Sequence, residues 1–258
     1  MLQTSIALHR ADLIPTGNDT GLKLLFARNL EEVREAQRLR FRIFNQEYGA
    51  HIGNPATGLD TDRFDLYCEH LLVFDEERDE VVGTYRMLMP EGAKRLGGYY
   101  SEQEFDLSGP MSAGGRVMEL GRSCVHPDYR NGGTISLLWH GIAAAMERHN
   151  IDFLMGCASV HEERGDRIGA LYQRLGGYLV DPEHRVTPRL AVPLFDADAQ
   201  CEPAPIPPLL KGYLRTGAKI GGAPAWDPEF GSSDFFIWLG AGWISSRYRK
   251  HYCQTTLS

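Results

Sequence analysis

Four groups of polar side chains in this sequence have types and spacings suited to chemistry. Arg40-x-x-x-Phe44 sets a guanidinium one helical turn from an aromatic ring, and Asp60-x-Asp62-x-Phe64-Asp65 crowds three carboxylates into six residues. Gly83-x-x-Arg86-x-Leu88-x-Pro90 places an arginine in an apolar run. Glu119-x-x-Arg122-x-x-Val125 places a carboxylate and a guanidinium in another. Carboxylates can take a proton from a reacting amine, and guanidiniums can hold anionic groups in a two-pronged fork. Asp60-x-Asp62 also suggests a divalent cation, but Phe64 interrupts the oxygen spacing of a calcium loop, and turn-forming aspartates explain it equally.

Several other chemistries are missing. No GxSxG elbow, Walker loop, HExxH helix or GxGxxG turn is present. His161 and Asp166 have the His-x4-Asp spacing of glycerolipid acyltransferases, yet with 9 histidines in the chain a chance match in a solvated loop is expected. Cys124 has no apparent basic partner to activate it and reads as a small core residue. His126, before Pro127, reads as a turn residue.

The frame that must position these groups has 258 residues, a formal charge of −7, 43% hydrophobic and 24% charged residues. That is a globular composition with room for a sizeable core, and its acidic balance argues against nucleic-acid binding. No signal peptide and no membrane-spanning run is visible. The five cysteines include no CxxC pair, so neither a disulfide framework nor a zinc site is expected, and a reducing cytoplasm fits.

Residues 22–27 read as a strand, and Asn29 as the N-cap of a helix running towards Gly49. An irregular polar stretch fills 50–65. The runs 70–74 and 81–89 flank a charged turn and predict a hairpin, followed by a Gly-rich loop over 90–115. Then come a strand (116–125), a helix (134–149), a strand (151–158), a short helix (167–175) and a last strand (189–194). This order predicts an α/β fold with a mixed central sheet and helices on both faces. A Pro-rich linker at 201–208 leads into a C-terminal extension, giving the division 1–200 and 201–258. For FFIWLGAGWI and the basic residues after it, three readings stand: a cover for an acyl chain, a membrane-surface contact, or part of the core.

The four clusters, in this order, resemble the acyl-homoserine-lactone synthases, which use a GNAT-type fold. A nearer resemblance is to the ornithine Nα-acyltransferases of ornithine-lipid synthesis, the haemolysin-like group. It is carried by DRFDLYCEHLLV (62–73), VVGTYRML (81–88), ELGRSCVHPDYRNGGTI (119–135), GCAS (156–159) and PPLLKGYLRTGAKIGGAPAWDPEFGSSDFFIWL (207–239). The resemblance implies transfer of a 3-hydroxyacyl chain from acyl carrier protein to the α-amine of L-ornithine, by direct attack and without a metal. The rival readings are acylation of another amino acid, such as lysine or glutamine, and a non-catalytic acyl-carrier or membrane-binding module. The phosphopantetheine of the carrier would be the only prosthetic group involved. The GNAT pyrophosphate loop ends in a small residue, whereas Arg130-Asn-Gly-Gly133-Thr-Ile135 ends in isoleucine, which suits a donor with a single phosphate. A two-chain lipid product also implies cytoplasmic action with peripheral contact at the inner membrane.

On this reading Glu119 is the base, acting directly or through water, and Arg122 lines the site with it. Alternation puts positions 119 and 122 on opposite faces, so a bulge or splay is required between them. Asp60, Asp62 and Asp65 would hold the two ammonium groups of ornithine, and Arg86 or Arg122 its carboxylate. Arg40 either braces the acidic loop or touches substrate, and Phe44 is core or acyl-tunnel wall. Val125, Arg130, Gly132 and Gly133 lie where a strand enters a helix N-terminus, a site suited to the pantetheine phosphate. The docking mouth for an acidic carrier would draw positive charge from Arg130, Arg148, Arg164 or Arg167.

Overall fold

A computed structural model of the chain describes residues 21–194 and 201–244. Its elements follow in chain order: β1 (Leu22–Phe26), α1 (Leu30–Phe41), β2 (Glu69–Asp75), β3 (Glu80–Leu88), α2 (Pro90–Leu96), β4 (Phe105–Asp106), α3 (Ser108–Met111), β5 (Val117–Val125), α4 (Gly133–Arg148), β6 (Phe153–Val160), α5 (Gly165–Arg174), β7 (Thr187–Pro188), α6 (Pro208–Thr216), β8 (Lys219–Ile220), β9 (Ala225–Asp227) and β10 (Ser232–Gly240). Among the described residues, no helix is long and apolar enough to cross a membrane.

By contacts the chain forms two units, one of residues 21–89 and 120–150, the other of 90–119 and 151–244. This division does not follow the boundary at residue 200 drawn from the Pro-rich linker. In the first unit the strands lie in the order β1-β2-β3-β5, with β1-β2 and β2-β3 antiparallel. Helix α1 starts where the Asn29 side chain accepts from the Glu32 N–H, a cap worth ~1 kcal/mol. It passes into a π-helical turn, Arg42–Glu47, that buries Ile43 and Phe44. Asn45 then exchanges hydrogen bonds with the Ile52 main chain at 3.1 and 3.2 Å, fixing the start of the irregular stretch.

The two faces of β3 have different partners. Gly83 faces α4, where an added Cβ would lie 2.6 Å from Thr134 Cγ2, while Arg86, three residues on, turns to the α1 side. The close approach of α4 therefore needs glycine at 83. Gly83→Ala is expected to cost about 1–3 kcal/mol through overpacking, read as a lower urea midpoint with an unchanged slope.

The second unit pairs β5 with β6 in parallel and β6 with β10 antiparallel, with β8 and β9 also on β10. β10 is the FFIWL run. Phe235 to Leu239 are buried with both faces of the strand covered, which is why the segment reads as continuous apolar sequence. Trp238 stacks on Phe153 at 4.7 Å, and Phe236 packs on Phe105. The core reading thus holds for 232–240, while the basic residues from Arg247 on lie outside the described residues.

Two sequence expectations change here. The stretch 90–115 contains α2, β4 and α3 in place of a plain loop, with Pro90 in the first turn of α2, where a missing N–H costs nothing. The strand expected over 189–194 is not formed: the short β7 ends before it, at Pro188, where it pairs with β4, and within 189–194 only Ala191 bridges, to Ala225.

Candidate active site

The acidic loop lies against the end of α1, and every acid in it meets a guanidinium. Arg40, fully buried, donates from Nε to Asp60 Oδ2 at 2.7 Å and from Nη1 and Nη2 to the two oxygens of Asp65 at 3.0 Å. Arg86 Nη1 reaches Asp62 at 2.6 Å and Asp65 at 3.0 Å. Arg122 Nε reaches Asp60 at 3.1 Å, and its Nη2 reaches Asp62 at 3.4 Å. Asp62 Oδ1 accepts from the Phe64 and Asp65 N–H groups, closing the turn that follows. Three carboxylates are thus matched by three guanidiniums within the chain. From the sequence these acids are expected to hold the two ammonium groups of the acceptor; in the structure Arg40, Arg86 and Arg122 already meet them. Of the two roles open to Arg40, bracing the loop is the one its contacts describe.

The electrostatics follow this arrangement. Burial alone would raise the Asp65 carboxyl, but the charge and hydrogen bonds of Arg40, with Arg86, hold it well below the usual carboxylate range. His70 is buried beside it, and desolvation lowers the imidazole, which stays neutral. Its Nε2 lies 3.0 Å from the Asp65 carbonyl, so that nitrogen carries the proton and donates. Gln37 Nε2 donates to Asp65 Oδ2 at 2.9 Å. Sequence reading missed both supporting residues, although Gln37 stands one helical turn before Arg40 and His70 lies inside the 62–73 motif.

Glu119 has other surroundings, in the second unit. It is buried and accepts from the Tyr100 N–H at 2.6 Å, the Ser101 N–H at 2.7 Å and Ser101 Oγ at 2.5 Å. The β5–β6 ladder ends at the Glu119–Met155 pair. Three residues on, Arg122 has φ of +49°, a left-handed conformation costing a non-glycine residue about 1–3 kcal/mol. The irregularity on this strand is thus a left-handed residue, Arg122 itself, within β5, which continues to Val125.

At the start of α4, Gly132 is the N-cap with φ of +89°, and the Gly133 N–H is taken by Asn131 Oδ1 at 3.0 Å. Arg130 Nε donates to the Val125 carbonyl at 3.0 Å, and its Nη2 pairs with Glu47 at 2.9 Å. This fixes an exposed guanidinium beside an exposed helix N-terminus. The other arginines considered for a docking mouth also have acidic partners: Arg148 with Glu69, Arg164 with Asp166, Arg167 with Glu162. Cys124 is buried, which pushes its thiol up to about 12, and His126 caps the Asp128 N–H, so neither is a poised reactive group.

Residues 39–140 match the acetyltransferase (GNAT) domain. Among solved structures, the N-acyl amino acid synthase FeeM from uncultured soil microbes has a TM-score of 0.51 at 13% identity, covering 86% of this chain and 91% of that one. The acyl-homoserine-lactone synthase LasI has a TM-score of 0.51 at 12% identity, covering 92% and 97%. These two show the fold. In sequence, the L-ornithine N(alpha)-acyltransferase of Brucella abortus is 37% identical, covering 97% of this chain and 95% of its own length. That of Rhizobium meliloti is 36% identical over 97% of this chain and 90% of its own. With this coverage at both ends, the chain belongs to the L-ornithine N(alpha)-acyltransferase family, on a GNAT-type α/β fold.

Proposed function

We propose that the chain transfers a 3-hydroxyacyl group from acyl carrier protein to the α-amine of L-ornithine, giving lyso-ornithine lipid. The observation that carries this reading is the near-full-length similarity to relatives named L-ornithine N(alpha)-acyltransferase, names that give the acceptor and the amine acylated; the 3-hydroxyacyl chain and the carrier-protein donor are added by the reading itself. In the reaction the amine nitrogen attacks the thioester carbonyl, a C–N bond forms, the C–S bond breaks, and the thiol leaves with a proton. Glu119 takes the proton lost by the amine. The Gly132–Gly133 turn with Arg130 and Val125 receives the pantetheine phosphate. Arg86 and Arg122 take the acceptor carboxylate, with Asp62 orienting both, while Arg40, Asp60 and Asp65 hold that set in place. The enzyme works at the cytoplasmic face of the inner membrane, where its product partitions.

The test is the purified protein with defined acyl donors and amino acids, the products identified by mass spectrometry. N-acyl-ornithine should dominate; faster acylation of lysine or glutamine would overturn the choice of acceptor. The same chain on acyl carrier protein is expected to give a higher kcat/KM than on coenzyme A, because Ile135, in the first turn of α4, stands where the pyrophosphate loop of this fold ends in a small residue. Equal values would remove that argument.

Asp62→Asn should raise the ornithine KM by at least ~10-fold, about 1.4 kcal/mol, since Arg86 and Arg122 both lose a charged partner. An unchanged KM would remove Asp62 and its two arginines from acceptor binding.

A further inference from the structure

The second unit carries four cations that its own acids leave unmatched. Arg174 ends α5, Lys211 and Arg215 lie on α6, and Lys219 is in β8. Among the described residues, none of the four has an ion pair or a side-chain hydrogen bond. Other surface arginines of the unit are matched: Arg116 with Glu91, Arg164 with Asp166, Arg167 with Glu162. The chain as a whole is acidic, at −7, so an unmatched basic group is a local departure from its balance.

Lys211 and Arg215 are one helical turn apart, on the face of α6 opposite the buried Leu210, Tyr213 and Thr216. Like charges at this spacing repel, so the pair does not stabilise the helix. Gly217 then caps α6 with φ of +108°, and an added Cβ there would lie 2.7 Å from the Trp243 carbonyl. Trp243 therefore sits at the end of α6. Its ring folds over Gly240 and meets Phe153 edge-on at 6.2 Å, yet 44% of the residue stays exposed.

β8 pairs with β10 on one edge. On its other edge Leu179 bridges Ile220 in parallel, which sets Tyr178, also 44% exposed, beside Lys219. Asp181 and Glu183 follow that bridge in the direction of Gly221, away from Lys219. Two half-exposed rings thus flank one short segment, 217–220, with basic groups before, within and beside it.

We propose that this surface docks on an anionic phospholipid bilayer, with Trp243 and Tyr178 at the headgroup level and Arg174, Lys211, Arg215 and Lys219 against the lipid phosphates. Trp and Tyr have an apolar body and a polar tip, which suits the boundary between water and hydrocarbon. Cations without partners in the chain give up no ion pair when they meet the headgroups, and basic residues near an anionic leaflet are drawn to it. The charges alone would also suit an acidic protein. The rings stand apart on either side of the cations, which favours a fluid surface that each can enter separately. The proposal rests on the proposed action at the membrane face and names the surface that meets it.

The test is sedimentation of the full-length protein with vesicles, in the absence of acyl donor and acceptor. Binding is expected to vesicles of mixed phosphatidylglycerol and phosphatidylcholine and not to phosphatidylcholine alone, and it should weaken as salt is raised. Lys211→Glu combined with Arg215→Glu should weaken it at least ~10-fold, about 1.4 kcal/mol, whereas Lys211→Arg with Arg215→Lys should leave it unchanged. Both residues are exposed, so an unaltered Tm is expected. Should the reversed pair fail to fold, Arg174→Glu gives the same reading from another element. Trp243→Ala should weaken binding at high salt as well as low, because its share is apolar.

Absence of vesicle binding, equal binding to both vesicle types, or binding unchanged by charge reversal in a folded variant overturns the proposal. Charge reversal that spares vesicle binding and weakens binding of acyl carrier protein would give the surface to the donor. A protein that binds vesicles and acylates nothing fails the proposed function alone; one that acylates ornithine and ignores vesicles fails this proposal alone.

Discussion

Glu119→Gln is expected to lower kcat by about 10²–10⁴-fold, the scale of losing a positioned general base. The carboxylate is buried and is oriented by two backbone N–H groups and the Ser101 hydroxyl. Glutamine has one acceptor oxygen, and its NH2 would face one of those donors, so some loss of stability accompanies the substitution, about 1–3 kcal/mol. Turnover and unfolding must therefore be measured on the same preparation. A base is distinguished from a brace for residues 100–101 by Glu119→Asp, which keeps the carboxylate and should recover part of kcat. A folded Glu119→Gln protein within ~10-fold of wild type would end the assignment.

The second large effect is on stability. Arg40→Met should cost about 3–5 kcal/mol, because it removes one partner of a buried ion network and leaves Asp60 and Asp65 with fewer cations than acids. Urea unfolding measures this, and a loss under ~1 kcal/mol would show that the network is not scaffold.

The pH dependence has a definite sign. The Asp65 carboxyl is held below its ordinary value of 3.8, so above that value both folded and unfolded states are ionised and its stabilisation is complete. As pH falls below 3.8, the unfolded chain takes up the proton first, and stability falls towards the depressed folded value. The variant should lose much of this acid slope.

Much of the frame was legible because its signals are local. Asn29 with the acids after it marks the start of α1, the hairpin follows from two apolar runs around a charged turn, and α4 from a long stretch without breakers. Elements that depend on distant partners were harder to read. β4 and β7 are two residues each and exist because they pair with one another. β10 has an apolar run consistent with a core strand or a surface cover, and only its register with β6 decides between them.

The site divided in the same way. Arg40, Arg86 and the aspartates were legible as site candidates from their types and spacing, but the pairing of each acid with a guanidinium is seen only in three dimensions. Arg122 was not visible as the third cation, because strand alternation cannot anticipate a left-handed arginine.

The place of β10 also shapes how the chain is synthesised. β6 emerges from the ribosome well before its antiparallel partner, separated from it by everything from residue 161 to 231. Until then one edge of β6 is an apolar strand with open backbone groups, the kind of edge that pairs with whatever chain is nearest. The described residues of the first unit all precede residue 151, so they leave the ribosome before β10 does. A nascent chain in that interval is half finished and adhesive, so its yield in a cell depends on how fast the last strand arrives.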